Sequence, residues 1–312
     1  MEATNKVDSA AQAESFGTAL GFAAFFIWGL FPLYFVLLRD VPPLVTLAFR
    51  AVFTTVLLLP IVLLRGKGKA IFHPLRKPWY VVGLFVTMAT TAASWGLFIW
   101  LVAVNHTIYA SLGNYASPLV GIALGAVVFR ERPRALSIVA IILATAAVCV
   151  FAIGLGRLPW ESVIVAFVFA IYSVLRKIME VDSTTALSVE TLFSLPIGVA
   201  YILYAAYSVP TLPFWATDPY RLSLLIGAGA LTAIPLLLFG SAARRAKLST
   251  LGLLQYLTPT GQFICGVCLF DEPASLSQWI SFALIWLALT FFTVDLFRGE
   301  RLSKRSRKSN EE

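Results

Sequence analysis

The sequence predicts an all-α integral membrane protein, with ten transmembrane helices in two inverted five-helix repeats and both termini cytoplasmic. Three observations carry that expectation. Of 312 residues, 59% are hydrophobic and 13% charged, whereas about a quarter of an ordinary soluble domain is charged. Apolar runs long enough to cross the hydrocarbon layer as helix recur along the whole chain. Two of the loops between those runs repeat one phrase with its charge reversed.

The runs cover about Phe16–Leu38, Leu44–Leu64, Trp79–Val104, Ile108–Phe129, Ala135–Ile153, Trp160–Ile178, Ala186–Tyr207, Leu222–Ala243, Ser249–Phe270 and Leu276–Leu296. None alternates polar with apolar residues as a barrel strand would. Residues 1–15 are polar, and the first run is long enough to stay as a membrane helix rather than be cleaved as a signal peptide.

The repeat is legible in "FRERPRALS" (129–137) and "FDEPASLS" (270–277). Setting Pro118 over Pro259 aligns Asn114-Tyr115 with Gln255-Tyr256, Ser117 with Thr258, Gly125 with Gly266 and Glu131 with Glu272. A duplication with a period near 140 residues divides ten helices into five and five. Five is odd, so the second half enters the membrane in the opposite sense. Residues 1–15 are then a polar cytoplasmic segment, 16–153 and 160–297 the two halves, and 298–312 a basic cytoplasmic tail.

Charge placement agrees. Lys6, the 65–77 cluster, Arg130, Arg132, Arg134, Arg176, Lys177, Arg244, Arg245, Lys247 and the tail fall on one side; Arg39, Arg157 and Arg221 fall on the other. Lys and Arg are enriched in cytoplasmic loops. The net charge of +8 therefore sets orientation and lipid contact, and no nucleic-acid partner is expected. Inverted halves can open a central site to each side in turn, the scheme of secondary transporters. No GxxxxGK[ST], HExxH or GxSxG motif is present, so an ATP-driven machine or an enzyme is not expected. Cys265-x-x-Cys268 has no thioredoxin-like surroundings and reads as packing, and neither a metal nor a cofactor is expected.

The stretches "FFIWGLFPLYF" (25–35), "WGLFIWLVAVN" (95–105), "ASLGNYASPLVGIALG" (110–125), "VETLFSLP" (189–196) and "LSTLGLLQYLTPT" (248–260) resemble the drug/metabolite transporter superfamily, in its EamA branch and among RarD-type proteins. The resemblance implies two EamA-like repeats and a bacterial inner-membrane location. It also implies a central cavity lined chiefly by spans three, four, eight and nine, with one and six nearby. The chain departs from the RarD pattern at Asn114, where an aromatic residue often follows the glycine, and at Cys265 and Cys268. The leading expectation is an alternating-access transporter of a small organic metabolite or drug, such as an exporter of amino-acid-like or amphiphilic compounds. A passive channel-like facilitator is the alternative, and an intramembrane enzyme a third. The expected surroundings are a small-molecule substrate and a lipid bilayer; proton coupling and a homodimer through spans five and ten stay open.

Substrate-binding candidates are Asn114, Tyr115, Gln255 and Tyr256, polar groups just ahead of Pro118 and Pro259, where a proline frees a carbonyl. The aromatic candidates Trp28, Tyr34, Trp95, Phe98 and Tyr172 offer stacking surfaces, with an interfacial belt or core packing as the alternative. Arg50 and Glu190 stand inside spans two and seven, where a central charge costs about 2.5–3.5 kcal/mol on insertion scales. Each lies roughly 8–12 Å from its own interface, so they pair directly only if both side chains extend. Their readings are gating or coupling, with Arg50 an anion anchor and Glu190 a protonation site, against helix packing. His106, near the outer mouth, is either a pH-sensing group or a solvent-facing helix end. Gly121-x-x-x-Gly125, Gly261 and Gly266 permit close helix approach.

Overall fold

Nine helices among the described residues are long and apolar enough to cross a membrane, and those residues contain no strand. In hydrocarbon a helix satisfies its interior backbone groups by itself, so uninterrupted apolar runs settle as helix. The computed structural model describes residues 2–64, 68, 74–130, 135–179, 183–208 and 213–309. Arg65, Lys67, Lys69, His73, Glu131, Arg132 and Arg134 lie outside them.

The first span is α1 (Glu2–Gly29) with α2 (Phe31–Phe35) and a 3-10 turn at Val36–Leu38. Pro32 has no N–H to give Trp28, and the helix breaks beside it at Leu30 (φ −89°, ψ 0°). Then follow α3 (Pro43–Leu64), α4 (Pro78–Ala103), α5 (Thr107–Phe129), α6 (Ala135–Leu155), α7 (Trp160–Met179), α8 (Ser183–Tyr207) and α9 (Pro219–Ala242). Helices α3, α4 and α9 begin on proline, whose fixed φ suits a first helical residue and whose missing N–H would have no partner there.

One helix is expected over Ser249–Phe270, and the structure divides it into α10 (Leu248–Leu254), α11 (Leu257–Ile264) and a π-helical turn at Cys265–Leu269. Pro259 cannot donate to the Gln255 carbonyl, which accepts the Thr258 N–H at 3.2 Å instead; Tyr256 N–H donates to Leu253 O at 3.2 Å. These i+3 bonds tighten the chain into a corner. Helix α5 carries Pro118 at the matching place and runs through unbroken. There Ser117 Oγ donates to Gly113 O of its own helix at 2.8 Å. Thr258 Oγ1 instead leaves its helix and donates to Phe25 O on α1 at 3.1 Å. The last helix, α12 (Leu276–Ser309), continues past the apolar span.

Helix neighbours follow a rule. Helix α6 lies against α12, α3 against α8, and α5 against α11. The remaining cross-half contacts include three exchanged pairs: α5 on α7 answers α11 on α1, α9 on α3 answers α4 on α8, and α1 on α9 answers α7 on α4. Exchanging spans one to five with six to ten turns each contact into its partner. Arg130 (φ 55°) and Asp271 (φ 50°), at matching positions of the two repeated phrases, both take the left-handed conformation that non-glycine residues seldom adopt.

The main buried cluster draws Phe31, Phe98 and Tyr115 from one half and Phe263 and Phe282 from the other. Close approach occurs at Gly29 and Gly261, where a Cβ on Gly261 would lie 2.8 Å from Gly29 Cα. The Gly121/Gly125 pair does not play that part. A Cβ on Gly121 meets nothing within 4 Å, and one on Gly125 only Phe129 Cδ2 at 4.0 Å. These glycines leave space rather than close it.

Candidate functional site

Helices α5 and α11 cross at the middle of the bundle through polar side chains. Asn114 Nδ2 donates to Gln262 Oε1 at 2.8 Å, Ser111 Oγ donates to Pro259 O at 2.8 Å, and Tyr115 OH shares a hydrogen bond with Thr260 Oγ1 at 2.6 Å. Asn114 is half-buried, whereas Tyr115 is buried against Phe282. Successive helix residues point about 100° apart, so Tyr115 faces the core while Asn114 stays partly exposed. Gln255 caps α10 and does not meet Asn114; Gln262, one turn beyond Pro259, does. The Tyr256 hydroxyl is buried beside Gln255, and the Trp28 indole N–H is buried without a hydrogen-bond partner among the described residues.

A second group surrounds Arg50. Its guanidinium carbon lies 4.4 Å from the centre of the Trp95 ring. Trp95 in turn meets Phe31 at 5.5 Å and Phe98 at 5.7 Å between ring centres. Arg50 is 7% exposed, and its Nε has no hydrogen-bond partner among the described residues. A desolvated cation over an indole gains about 2 kcal/mol, less than the several kcal/mol that burying an ion costs.

Glu190 is satisfied differently. Thr87 Oγ1 donates to its Oε1 at 2.8 Å, and Arg176 Nη1 stands 3.8 Å from the same oxygen. These contacts tie α8 to α4 and α7. Arg176 also lies over the Tyr172 ring at 5.8 Å. Arg50 and Glu190 therefore do not pair.

The end of the bundle bearing Asn105 is tied across the two halves. The Glu272 carboxylate accepts the N–H groups of Thr107 at 2.7 Å and Ile108 at 2.9 Å, capping α5 from the other half. Gly266 packs there too; a Cβ on it would reach Ile108 at 3.1 Å. Arg157 pairs with Glu161 at 2.7 Å and Arg221 with Asp40 at 2.6 Å. His106 is half-buried rather than open to solvent, tilted at 38° to the Tyr109 ring with 4.8 Å between ring centres, and its buried Nδ1 has no hydrogen-bond partner among the described residues. The opposite end differs. Gly121 and Gly125 follow Asn114 along one face of α5 toward it, and Cβ atoms at Gly240 and Gly252 also meet nothing within 4 Å.

A family model described as the EamA-like transporter family matches this chain twice, over residues 15–153 and 162–294. The chain belongs to the EamA-like transporter family. Membership makes it a multi-span membrane transporter, and its bacterial relatives agree with an inner-membrane location. It is 38% identical to Protein RarD of Streptomyces exfoliatus, over 92% of this chain and 91% of that one. It is 37% identical to an uncharacterized transporter of Vibrio cholerae, over 93% and 96%. A solved crystal structure superposes with a TM-score of 0.57 at 20% identity, covering 89% of this chain and 96% of that one, which speaks to the fold alone.

Within this EamA-family chain the remaining candidates are placed as follows. Tyr34 donates its hydroxyl to Leu224 O at 2.5 Å, pinning the first span to α9. Phe98 is buried between Trp95 and Phe35, and Trp28 packs on Phe25 and Phe239. Tyr172 is half-buried beside Arg176. The sequence reading missed Gln262, Thr260, Thr87 and Thr46. Gln262 alone had a visible signal, as a lone amide in an apolar run. The described residues hold no cluster of three or more His, Cys, Asp or Glu suited to a metal, and Cys149, Cys265 and Cys268 are free thiols.

Proposed function

We propose that this chain moves a small organic molecule by alternating access, with inverted five-helix halves and cytoplasmic termini. The observation that carries the reading is the exchange of helix contacts between the halves. Two states of similar energy follow naturally when each contact has a counterpart on the opposite side. The matched left-handed residues Arg130 and Asp271 support the same repeat.

In this reading the Glu272 end faces outward and is closed by the cap on α5. The Gly121–Gly125 face opens inward, so the conformer is the inward-facing one. The Asn114–Gln262 bond stands at the top of the opening, where a substrate can exchange it for bonds of its own. The corner at Gln255 and the π turn beside Glu272 let the ninth span bend at two places. Glu190, held by Thr87 and Arg176, is a helix tie rather than the coupling group.

Counterflow in proteoliposomes tests the proposal. The panel includes chloramphenicol, because a Pseudomonas aeruginosa relative 27% identical is named chloramphenicol-sensitive protein RarD, together with amino acids and aromatic acids and amines. Alternating access gives saturable uptake that is accelerated by preloaded unlabelled compound. Uptake without saturation or counterflow would establish the channel-like alternative instead.

A further inference from the structure

We propose that Arg50 and Trp95 form a recognition site for a small organic carboxylate, a monoanion with a flat or apolar body. The proposal rests on the transport reading above and names the substrate class.

The first premise is an unmatched charge. Arg50 is only 7% exposed, its Nε has no hydrogen-bond partner among the described residues, and its contact with Trp95 is a ring rather than an anion. The second is that the buried carboxylates described are committed elsewhere. Glu161 is paired with Arg157, Glu190 with Arg176 and Thr87, Glu272 with the N–H groups of Thr107 and Ile108, and Asp295 with Ser137. A buried charge normally has a partner or coordinates an ion. Here no described side chain supplies it, and the missing anion comes from outside the chain.

The surroundings narrow the class. One guanidinium balances one negative charge, and a dianion such as a phosphate monoester would leave buried negative charge uncompensated. The guanidinium fork matches the two oxygens of a carboxylate. Thr46, one turn back on the same face of α3, is wholly buried and its hydroxyl has no partner among the described residues, which makes it a second donor one turn from the first. Trp95 is only half-buried and continues through Phe31 and Phe98 into an aromatic wall that suits a ring or a flat hydrocarbon. An amine would meet the Arg50 charge directly and is disfavoured. Span two thus reaches the site through its arginine, although its helix packs chiefly on α8 and α9.

Equilibrium binding to the purified full chain in lipid nanodiscs tests this, with radiolabelled phenylacetate as probe and phenylacetamide and phenethylamine as competitors. Phenylacetate binds saturably and at least about tenfold more tightly than the amide, as a charge-assisted pair requires. Arg50→Gln removes that preference. Arg50→Lys keeps the charge but not the fork, and weakens binding by about five- to tenfold. Trp95→Leu weakens binding a few-fold while the acid stays preferred over the amide. Should Arg50→Gln fail to elute as a folded protein, the lysine variant decides. Equal binding of acid and amide, no saturable phenylacetate binding, or unchanged affinity in Arg50→Lys overturns the proposal. Counterflow separates the two readings. Transport of neutral or cationic compounds alone, with no phenylacetate binding, removes the carboxylate site and leaves the transporter. Phenylacetate binding without counterflow of any compound removes alternating access and leaves the site.

Discussion

Arg50 and Glu190 stand in corresponding spans and are the two charges deepest in them, yet their surroundings are built on different principles. The offset that sets Pro118 over Pro259 also sets Phe31 over Tyr172, Phe35 over Arg176, and Arg50 one place from Glu190. Around Glu190 the chain supplies a cation and a hydroxyl of its own. Around Arg50 the described residues supply rings and a hydroxyl without a partner among them, but no anion. A site whose charge is answered internally holds helices together. In the proposed reading, a site whose charge is left open is prepared for something that arrives.

Substitution at the two places should separate those roles. The largest effect is expected at Arg50, where Gln abolishes carboxylate-dependent counterflow while the melting temperature in detergent stays near that of the parent, because no internal partner is orphaned. Next comes Glu190→Gln, which leaves Arg176 without its carboxylate and costs about 3 kcal/mol of apparent stability; thermal unfolding followed by tryptophan fluorescence reads it. If instead Glu190→Gln melts normally and loses the pH dependence of uptake, the assignment of structural and coupling roles reverses. Glu272→Ala uncaps two N–H groups of α5 and costs about 2 kcal/mol, most of it in the outward-closed conformer. A cysteine at Asn114 in that variant should become accessible to an impermeant maleimide from outside. The smallest effect is expected at Thr258→Val, which removes one bond to Phe25 O and costs about 1 kcal/mol by the same melting assay.

What could be read in advance divides along a physical line. Span existence was legible because a bilayer demands about 20 apolar residues in a row, and nine runs fold as single candidate spans within a few residues of their expected limits. The corner at Gln255 was only half visible. Pro118 and Pro259 look equivalent on paper, and the α5 copy continues while the α10–α11 copy breaks, with Thr258 turning to bond α1. Arg50 and Glu190 announced themselves by their cost, but their partners did not. Arg176 looked like an orienting charge at a helix end, and only the packing of α7 beside α8 and α4 brings it near Glu190. Glu272 read as a loop acid, and the cap it makes on α5 depends on a contact between residues 165 positions apart. Gly121 and Gly125 show the converse error, since spacing alone cannot say whether two glycines meet a neighbour or an opening.

In the proposed reading, opposed threading of the halves underlies both the exchanged contacts and the alternation between states. Its most direct measurement is impermeant-maleimide labelling in oriented vesicles of Arg130→Cys and Asp271→Cys, each in a chain whose three native cysteines are replaced by alanine. The account predicts that Asp271→Cys is labelled only from the outer face and Arg130→Cys only from the cytoplasmic face. Labelling of both from one face would contradict it.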